Sequence, residues 1–112
     1  MPKSIIIKKI GGPEVLELQD VSVGSPGPDE IKVTNHAIGL NYIDTYHRSG
    51  LYPLAMPSGI GLEAAGKINE VGSNISEFNV GDNIAYASIP LGAYSQQRII
   101  PAKIAVKVPN GI

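Results

Sequence analysis

The sequence predicts a mainly β domain with one short helix, and three observations lead to this prediction. Thirteen glycines and nine prolines are spread over the 112 residues and divide them into short apolar segments, a pattern typical of a β-sandwich or barrel. Several of these segments alternate apolar and polar residues with the period of two that a half-buried strand requires. One segment, NYIDTYHRSG, lacks this alternation and has the features of a helical turn.

The strands are predicted from this alternation and from the turns between them. Leu16 and Leu18 alternate with polar residues in the second segment, and Ile31 and Val33 do so in the third. GGP and SPGP form the turns that end the first and second segments, because glycine and proline supply the backbone angles that turns need. The seven predicted strands are residues 4–10, 16–23, 30–37, 64–71, 83–87, 93–100 and 104–108.

The predicted helix covers residues 41–50. Asn41 is suited to the N-cap position and Gly50 to the end of the helix, where a left-handed residue commonly terminates the hydrogen-bond ladder. Tyr42 and Tyr46 are four residues apart and therefore share a face. Asp44 is interpreted as a structural residue that caps or braces the turn.

Composition excludes several classes of protein. Nine basic and ten acidic residues give a net charge of −1, and no basic stripe is present, so we expect no nucleic-acid binding. There is no cysteine, which excludes disulfides and thiolate zinc sites. The longest uncharged stretches, residues 49–62 and 83–97, are too short to span a bilayer, and the N-terminus lacks the apolar region of a signal peptide. We therefore expect one cytoplasmic domain without membrane contact.

Two common kinds of site are also not expected. His36 and His47 are the only histidines, one in a predicted strand and the other in the helix, and zinc needs three or four ligands. The segment GIGLEAAG misses the G-x-G-x-x-G spacing of a dinucleotide-binding turn, and no long amphipathic helix follows it. The residues thus predict neither a metal site nor a Rossmann fold.

Tyrosines are the remaining candidates for chemistry. Tyr42, Tyr46 and Tyr52 lie close to Asn41 and Asp44 around the helical turn. A phenol stacks on a flat ring and also donates a hydrogen bond, which suits a pocket for a planar carbonyl compound. Alternatively, the three rings only fill the gap between the helix and the sheet. The spacing alone leaves both interpretations open.

Five motifs follow one another in the order GGPEVL, AIGLNYIDTYHRSGLYP, MPSGIGLEAAGKINEVG, GDNIAY and LGAYSQ. In this order the sequence resembles the medium-chain dehydrogenase/reductase superfamily, and within it the zeta-crystallin-like quinone oxidoreductase branch. The resemblance implies that residues 1–112 form the N-terminal catalytic domain, a GroES-like (chaperonin-10-like) β-barrel with short helical turns. It also implies a following Rossmann domain, which is absent from this sequence.

The resemblance further implies that this branch works without zinc. Zinc-dependent members have a cysteine where Asn41 stands and a histidine where Leu62 stands, and neither residue here is a zinc ligand. The acceptor's carbonyl would then be polarised by hydrogen bonds, with NADPH as the reductant. Matching positions assign Tyr46 and Tyr52 to the acceptor pocket as the catalytic residues.

The same matching assigns Asn41, Tyr42, Ile43 and Tyr46 to the contacts with the cofactor. The expected function is transfer of reducing equivalents from NADPH to a quinone or another small carbonyl acceptor, with the isolated chain inactive. Two alternatives stay open: a stand-alone GroES-like module that binds or oligomerises, and an enoyl or other activated-alkene reductase of the same superfamily. The sequence does not decide between NADPH and NADH, between one-electron and two-electron reduction, or between a monomer and a homodimer.

Overall fold

Two antiparallel sheets make up the chain in a computed structural model, which describes residues 1–112. The three-stranded sheet has the order β2-β1-β4, with β1 (Lys3–Ile7), β2 (Glu17–Asp20) and β4 (Ser58–Gly59). The five-stranded sheet has the order β7-β3-β5-β6-β8, with β3 (Glu30–Ile38), β5 (Glu63–Val71), β6 (Asn83–Ala87), β7 (Gln97–Pro101) and β8 (Ala105–Lys107). Two 3₁₀ turns, Pro13–Val15 and Ala102–Ile104, complete the ordered elements apart from one α-helix.

The five-stranded sheet carries the hydrophobic core. Ile31 and Val33 of β3 are fully buried, as their alternation with polar neighbours predicts. Each such side chain stabilises the fold by about 1.5–3 kcal/mol relative to an exposed one. Eleven buried residues form the cluster: Ile31, Val33, Ala64, Ile68, Phe78, Ile84, Tyr86, Ala93, Ile100, Ala102 and Ala105.

Strand β2 differs from the prediction. Leu16 is 37% exposed and Leu18 is 65% exposed, so the predicted inward face of this strand is wrong. β2 pairs only with β1 and lies at the edge of the smaller sheet. No element covers Leu18, which instead lines an open cavity together with Ile38 and Leu40.

The two sheets are not hydrogen-bonded into one closed barrel. Residues 93–96, predicted as the start of a strand, join the sheets instead, and regular pairing begins at Gln97. The Ile5 N–H donates to the Tyr94 carbonyl at 2.8 Å, while the Asn35 N–H donates to the Gln96 carbonyl at 2.9 Å. This segment therefore bonds to β1 and to β3 at the same time, which the alternation of one segment cannot reveal.

The α-helix, α1 (Tyr42–Ser49), follows β3 and has the predicted ends. Asn41 is an extended N-cap, and Gly50 adopts the left-handed conformation at φ +89°, which only glycine adopts without strain. The Arg48 guanidinium donates to the Gly11 carbonyl at 2.8 Å, and the Gly11 N–H donates to the Arg48 carbonyl at 2.9 Å. These two bonds fasten the C-terminal end of α1 to the turn after β1.

No helix of the chain has the length and apolar character that crossing a membrane requires.

Candidate functional site

Three tyrosine rings are in contact along α1 and the loop after it. The ring centroids of Tyr42 and Tyr46 are 5.4 Å apart with an interplanar angle of 72°, and those of Tyr46 and Tyr52 are 5.5 Å apart at 73°. Both pairs have the edge-to-face geometry that aromatic rings prefer. The Tyr52 N–H also donates to the Tyr46 carbonyl at 3.3 Å, which holds the loop against the helix. We call Tyr42, Tyr46 and Tyr52 the tyrosine row.

The hydroxyls of the tyrosine row are free, unlike those of the other two tyrosines. The Tyr86 hydroxyl donates to the Asn35 side-chain carbonyl at 2.9 Å, and the Tyr94 hydroxyl donates to Asp44 at 2.5 Å. The row makes no hydroxyl hydrogen bond within the chain. Tyr42 is 75% exposed and Tyr52 is 48% exposed, while Tyr46 between them is partly buried. The row thus presents aromatic surface and unused hydrogen-bond donors to the outside of the domain.

Asp44 organises the first turn of α1. Its side chain is buried, and its Oδ2 accepts hydrogen bonds from the Asn41 N–H at 3.1 Å and from the Tyr94 hydroxyl at 2.5 Å. The predicted structural role of Asp44 is confirmed by these contacts. Burial, the hydrogen bond to Asp44 and the negative charge of that carboxylate, in this order of size, raise the pKa of Tyr94 far above its ordinary value of 10.0.

The structure brings the predicted site residues into one helix and the adjoining loop. Asn41 is the N-cap, and Tyr42 and Ile43 begin the first turn. Tyr46 follows one turn later, and Tyr52 contacts its ring. Sequence reasoning left out Tyr94, which reaches this helix from the segment between the sheets. The tyrosine in the LGAYSQ motif was the available signal, but its partner cannot be read from the sequence because it lies 50 positions away.

The two positions compared with zinc ligands carry an amide and an alkyl group. Asn41 caps α1, and Leu62 is partly buried directly before β5. His36 is exposed in β3, whereas His47 is buried in α1 with no hydrogen-bond partner for its Nδ1. No group of three or more His, Cys, Asp or Glu side chains is close enough to share a metal ion. The residues at these positions do not fit a zinc site.

Two open apolar cavities lie outside the tyrosine row. One, of about 570 Å³, is lined mainly by small residues at the ends of β3, β5 and β6. The other, of about 380 Å³, lies between the sheets and is lined by Leu18, Ile38, Leu40 and Tyr94, among others. No residue of the tyrosine row lines either cavity. Within this chain the row is therefore one exposed wall and not an enclosed pocket.

Comparisons with known proteins agree on one domain family. The family "Alcohol dehydrogenase GroES-like domain" matches residues 27–110. A quinone oxidoreductase of Pseudomonas aeruginosa is 52% identical over the whole chain, and a 2-haloacrylate reductase of Burkholderia sp. is 43% identical over the whole chain. The crystal structure of Escherichia coli quinone oxidoreductase complexed with NADPH has a TM-score of 0.96 and 47% identity over 98% of the chain. The chain spans 35% of the length of each of the two relatives and 34% of that crystallised chain.

Proposed function

The chain belongs to the alcohol dehydrogenase GroES-like domain family, and from this premise we propose that it is the N-terminal catalytic domain of an NADPH-dependent quinone oxidoreductase. Family membership confirms the predicted mainly β, GroES-like fold. Similarity to quinone oxidoreductases along the entire chain supports the proposed activity. Because those relatives are almost three times as long, the proposal includes a further domain that binds most of the dinucleotide.

The observation that carries this proposal is the tyrosine row with its free hydroxyls. A quinone is a flat ring with carbonyl oxygens, so it matches a surface that offers aromatic contact and hydrogen-bond donors together. Tyrosines kept only for packing would more often resemble Tyr86, which is buried and has its hydroxyl bonded to Asn35. Tyr42 and Tyr52 instead leave about half or more of their surface exposed.

We assign roles to the row and its neighbours on this basis. Asn41, Tyr42, Ile43 and Tyr46 would hold the nicotinamide side of the cofactor, and the exposed ring of Tyr42 suits contact with a flat heterocycle. Tyr46 and Tyr52 would donate hydrogen bonds to the acceptor's carbonyl oxygen. Bound NADPH supplies hydride equivalents. The chain's own contribution is to orient the acceptor, polarise its carbonyl and help exclude water from the cleft.

The proposal includes independence from zinc. Its support is the side chains at the two ligand positions. The amide of Asn41 and the alkyl side chain of Leu62 replace the zinc ligands of zinc-dependent members, and the chain contains no cysteine. Polarisation of the acceptor must then come from hydrogen-bond donors. The free hydroxyls of Tyr46 and Tyr52 are the available candidates on this surface.

The test is to express the full reading frame that carries this chain and to follow NADPH oxidation with and without a quinone. We expect oxidation that depends on the quinone and that is weaker with NADH. A full-length protein that oxidises neither cofactor with any quinone contradicts the proposal and supports a stand-alone binding or oligomerisation module. The size of the purified protein in solution separates those two module functions.

Reduction of an activated alkene is the second candidate. It is favoured by the 43% identity to a 2-haloacrylate reductase over the whole chain. An activated alkene also has a conjugated carbonyl that hydrogen-bond donors can polarise, so the same tyrosines serve both reactions. A substrate panel of benzoquinones, 2-haloacrylates and enones, compared by kcat/KM, separates the two candidates. A higher kcat/KM for the alkenes would replace the quinone assignment.

A further inference from the structure

One hydrogen bond connects the first turn of α1 to a segment outside the helix. Asp44 is only 3% exposed, and its Oδ2 accepts from the Asn41 N–H inside the turn and from the Tyr94 hydroxyl outside it. No other hydrogen bond connects Asn41–Thr45 to another element. A buried carboxylate is costly unless it has donors, and both donors of Asp44 bond to Oδ2, while Oδ1 is buried without a hydrogen-bond partner.

Tyr94 itself is held on both sides. Its N–H donates to the Ile60 carbonyl at 3.0 Å, and its carbonyl accepts from the Ile5 N–H at 2.8 Å. Its ring lies against Gly61, where an added Cβ would clash with the ring and where φ is +98°. Gly61 therefore keeps open the space in which the ring lies. The backbone of Tyr94 is thus held to β1 and to the residue that follows β4.

Arg98 forms hydrogen bonds with the backbone of the residues before Tyr94. This buried guanidinium donates to the Pro90 carbonyl at 2.9 Å and to the Leu91 carbonyl at 3.2 Å, and it lies 5.5 Å from the centroid of the Tyr86 ring. No carboxylate pairs with it within salt-bridge distance. Its hydrogen bonds go to backbone carbonyls of the loop that leads to Tyr94, and they restrain the position of this loop.

The two ends of α1 are thus fastened in different ways. Arg48 and Gly11 hold the C-terminal end through backbone carbonyls, whereas the N-terminal end depends on the pair of Asp44 and Tyr94. Tyr42 begins that N-terminal end, and its ring contacts the ring of Tyr46 one turn later. A change in the Asp44–Tyr94 contact would alter the direction of the row's hydroxyls without removing any of them.

We propose that Asp44 and Tyr94 are positioning residues, whose hydrogen bond fixes the first turn of α1 so that the tyrosine row is aimed at the acceptor. This inference rests on the proposed function. Neither residue needs to touch the substrate, because both act through the orientation of Tyr42 and Tyr46. Catalytic groups must be held within a fraction of an ångström of their productive geometry, so a loosened turn lowers the rate.

The test uses Tyr94→Phe and Asp44→Asn in the full-length enzyme, with Tyr86→Phe as the matched control. Tyr86→Phe also removes a bonded tyrosine hydroxyl, but its partner Asn35 donates to the carbonyls of Ala93 and Ser95 beside Tyr94 and makes no hydrogen bond to α1. Asp44→Asn keeps a side-chain acceptor for Tyr94 and should lose less activity than Asp44→Ala. Two measurements are made on each variant: amide hydrogen exchange at Asn41, and kcat/KM for the quinone.

We expect Tyr94→Phe to speed exchange of the Asn41 amide and to lower kcat/KM by about tenfold. Tyr86→Phe should change both by about twofold or less. Equal losses in the two variants, or unchanged exchange at Asn41 in Tyr94→Phe, would overturn the positioning role. A wild-type enzyme that reduces no quinone would instead overturn the proposed function, a failure visible before any variant is made.

Discussion

Replacing Tyr46 and Tyr52 by phenylalanine tests whether the tyrosine row acts in catalysis. The change removes only the hydroxyls, which make no hydrogen bond within the chain, and it leaves the edge-to-face ring pairs at 5.4 and 5.5 Å in place. The free energy of unfolding should therefore change by less than about 0.5 kcal/mol in each variant. Any loss of activity then belongs to the site and not to the fold.

The expected loss follows from the role assigned to the hydroxyls. A hydrogen bond to a carbonyl that gains negative charge is worth about 1.5–3 kcal/mol. Its removal should lower turnover by about 10- to 150-fold in each Phe variant. Loss of turnover with an unchanged melting temperature is the signature of a hydrogen bond made to the reacting molecule.

Alanine variants separate the contribution of the rings. Tyr46→Ala removes two aromatic pairs, with Tyr42 and with Tyr52, and each pair stabilises the fold by about 0.5–1.5 kcal/mol. Tyr46→Ala should therefore destabilise the protein by about 1–3 kcal/mol in addition to its lost packing. Tyr52→Ala removes the contacts with Tyr46 and His47 and should have a similar effect.

The assay is quinone-dependent NADPH oxidation and thermal unfolding for all four variants of the full-length enzyme, with Tyr86→Phe as control. The control loses a partly buried hydrogen bond to Asn35, so it should lose about 1 kcal/mol of stability and little turnover. Unchanged turnover in both Phe variants, with stability lost only in the Ala variants, would refute the reasoning. The row would then be a packing feature.

Three further predictions concern pH, metal and the isolated chain. Because the pKa of Tyr94 is raised above its ordinary value of 10.0, the stability that the protonated phenol contributes is fully present below about pH 10 and falls as the pH rises above it. Alkaline unfolding should thus be less steep in Tyr94→Phe, and identical pH profiles would contradict this. Elemental analysis after dialysis against a chelator should find well below one zinc per chain, whereas about one per chain would overturn the metal-free assignment. The 112-residue chain alone should neither reduce quinones nor bind NADPH tightly, because most dinucleotide contacts belong to a Rossmann domain; micromolar binding in calorimetry would contradict this.

Local features of the fold were predictable from the sequence because their causes are local. Asn41 and Gly50 stand at the two ends of α1 as predicted, because a capping residue and a left-handed glycine act within one turn of the chain. Ile31 and Val33 are buried as their alternation indicates. The contact of Tyr42 with Tyr46 follows from their spacing of four residues on a helix.

The family was also predictable, because its motifs are contiguous runs of residues. NYIDTYHRSGLYP contains most of the candidate site within a single segment of the chain. The candidate residues could therefore be identified from their order along the chain alone. Their roles remain predictions, since a motif identifies positions and does not show which side chain contacts a substrate.

Tertiary structure alone decided which faces are covered and which distant groups meet. Leu18 belongs to an alternating segment but is exposed, because alternation marks an apolar face and does not provide an element to cover it. Residues 93–96 connect two sheets because partners in β1 and β3 share their backbone groups. The hydrogen bond between Asp44 and Tyr94 joins residues 50 positions apart. Such pairings depend on where the chain returns in space, and no local periodicity encodes that return.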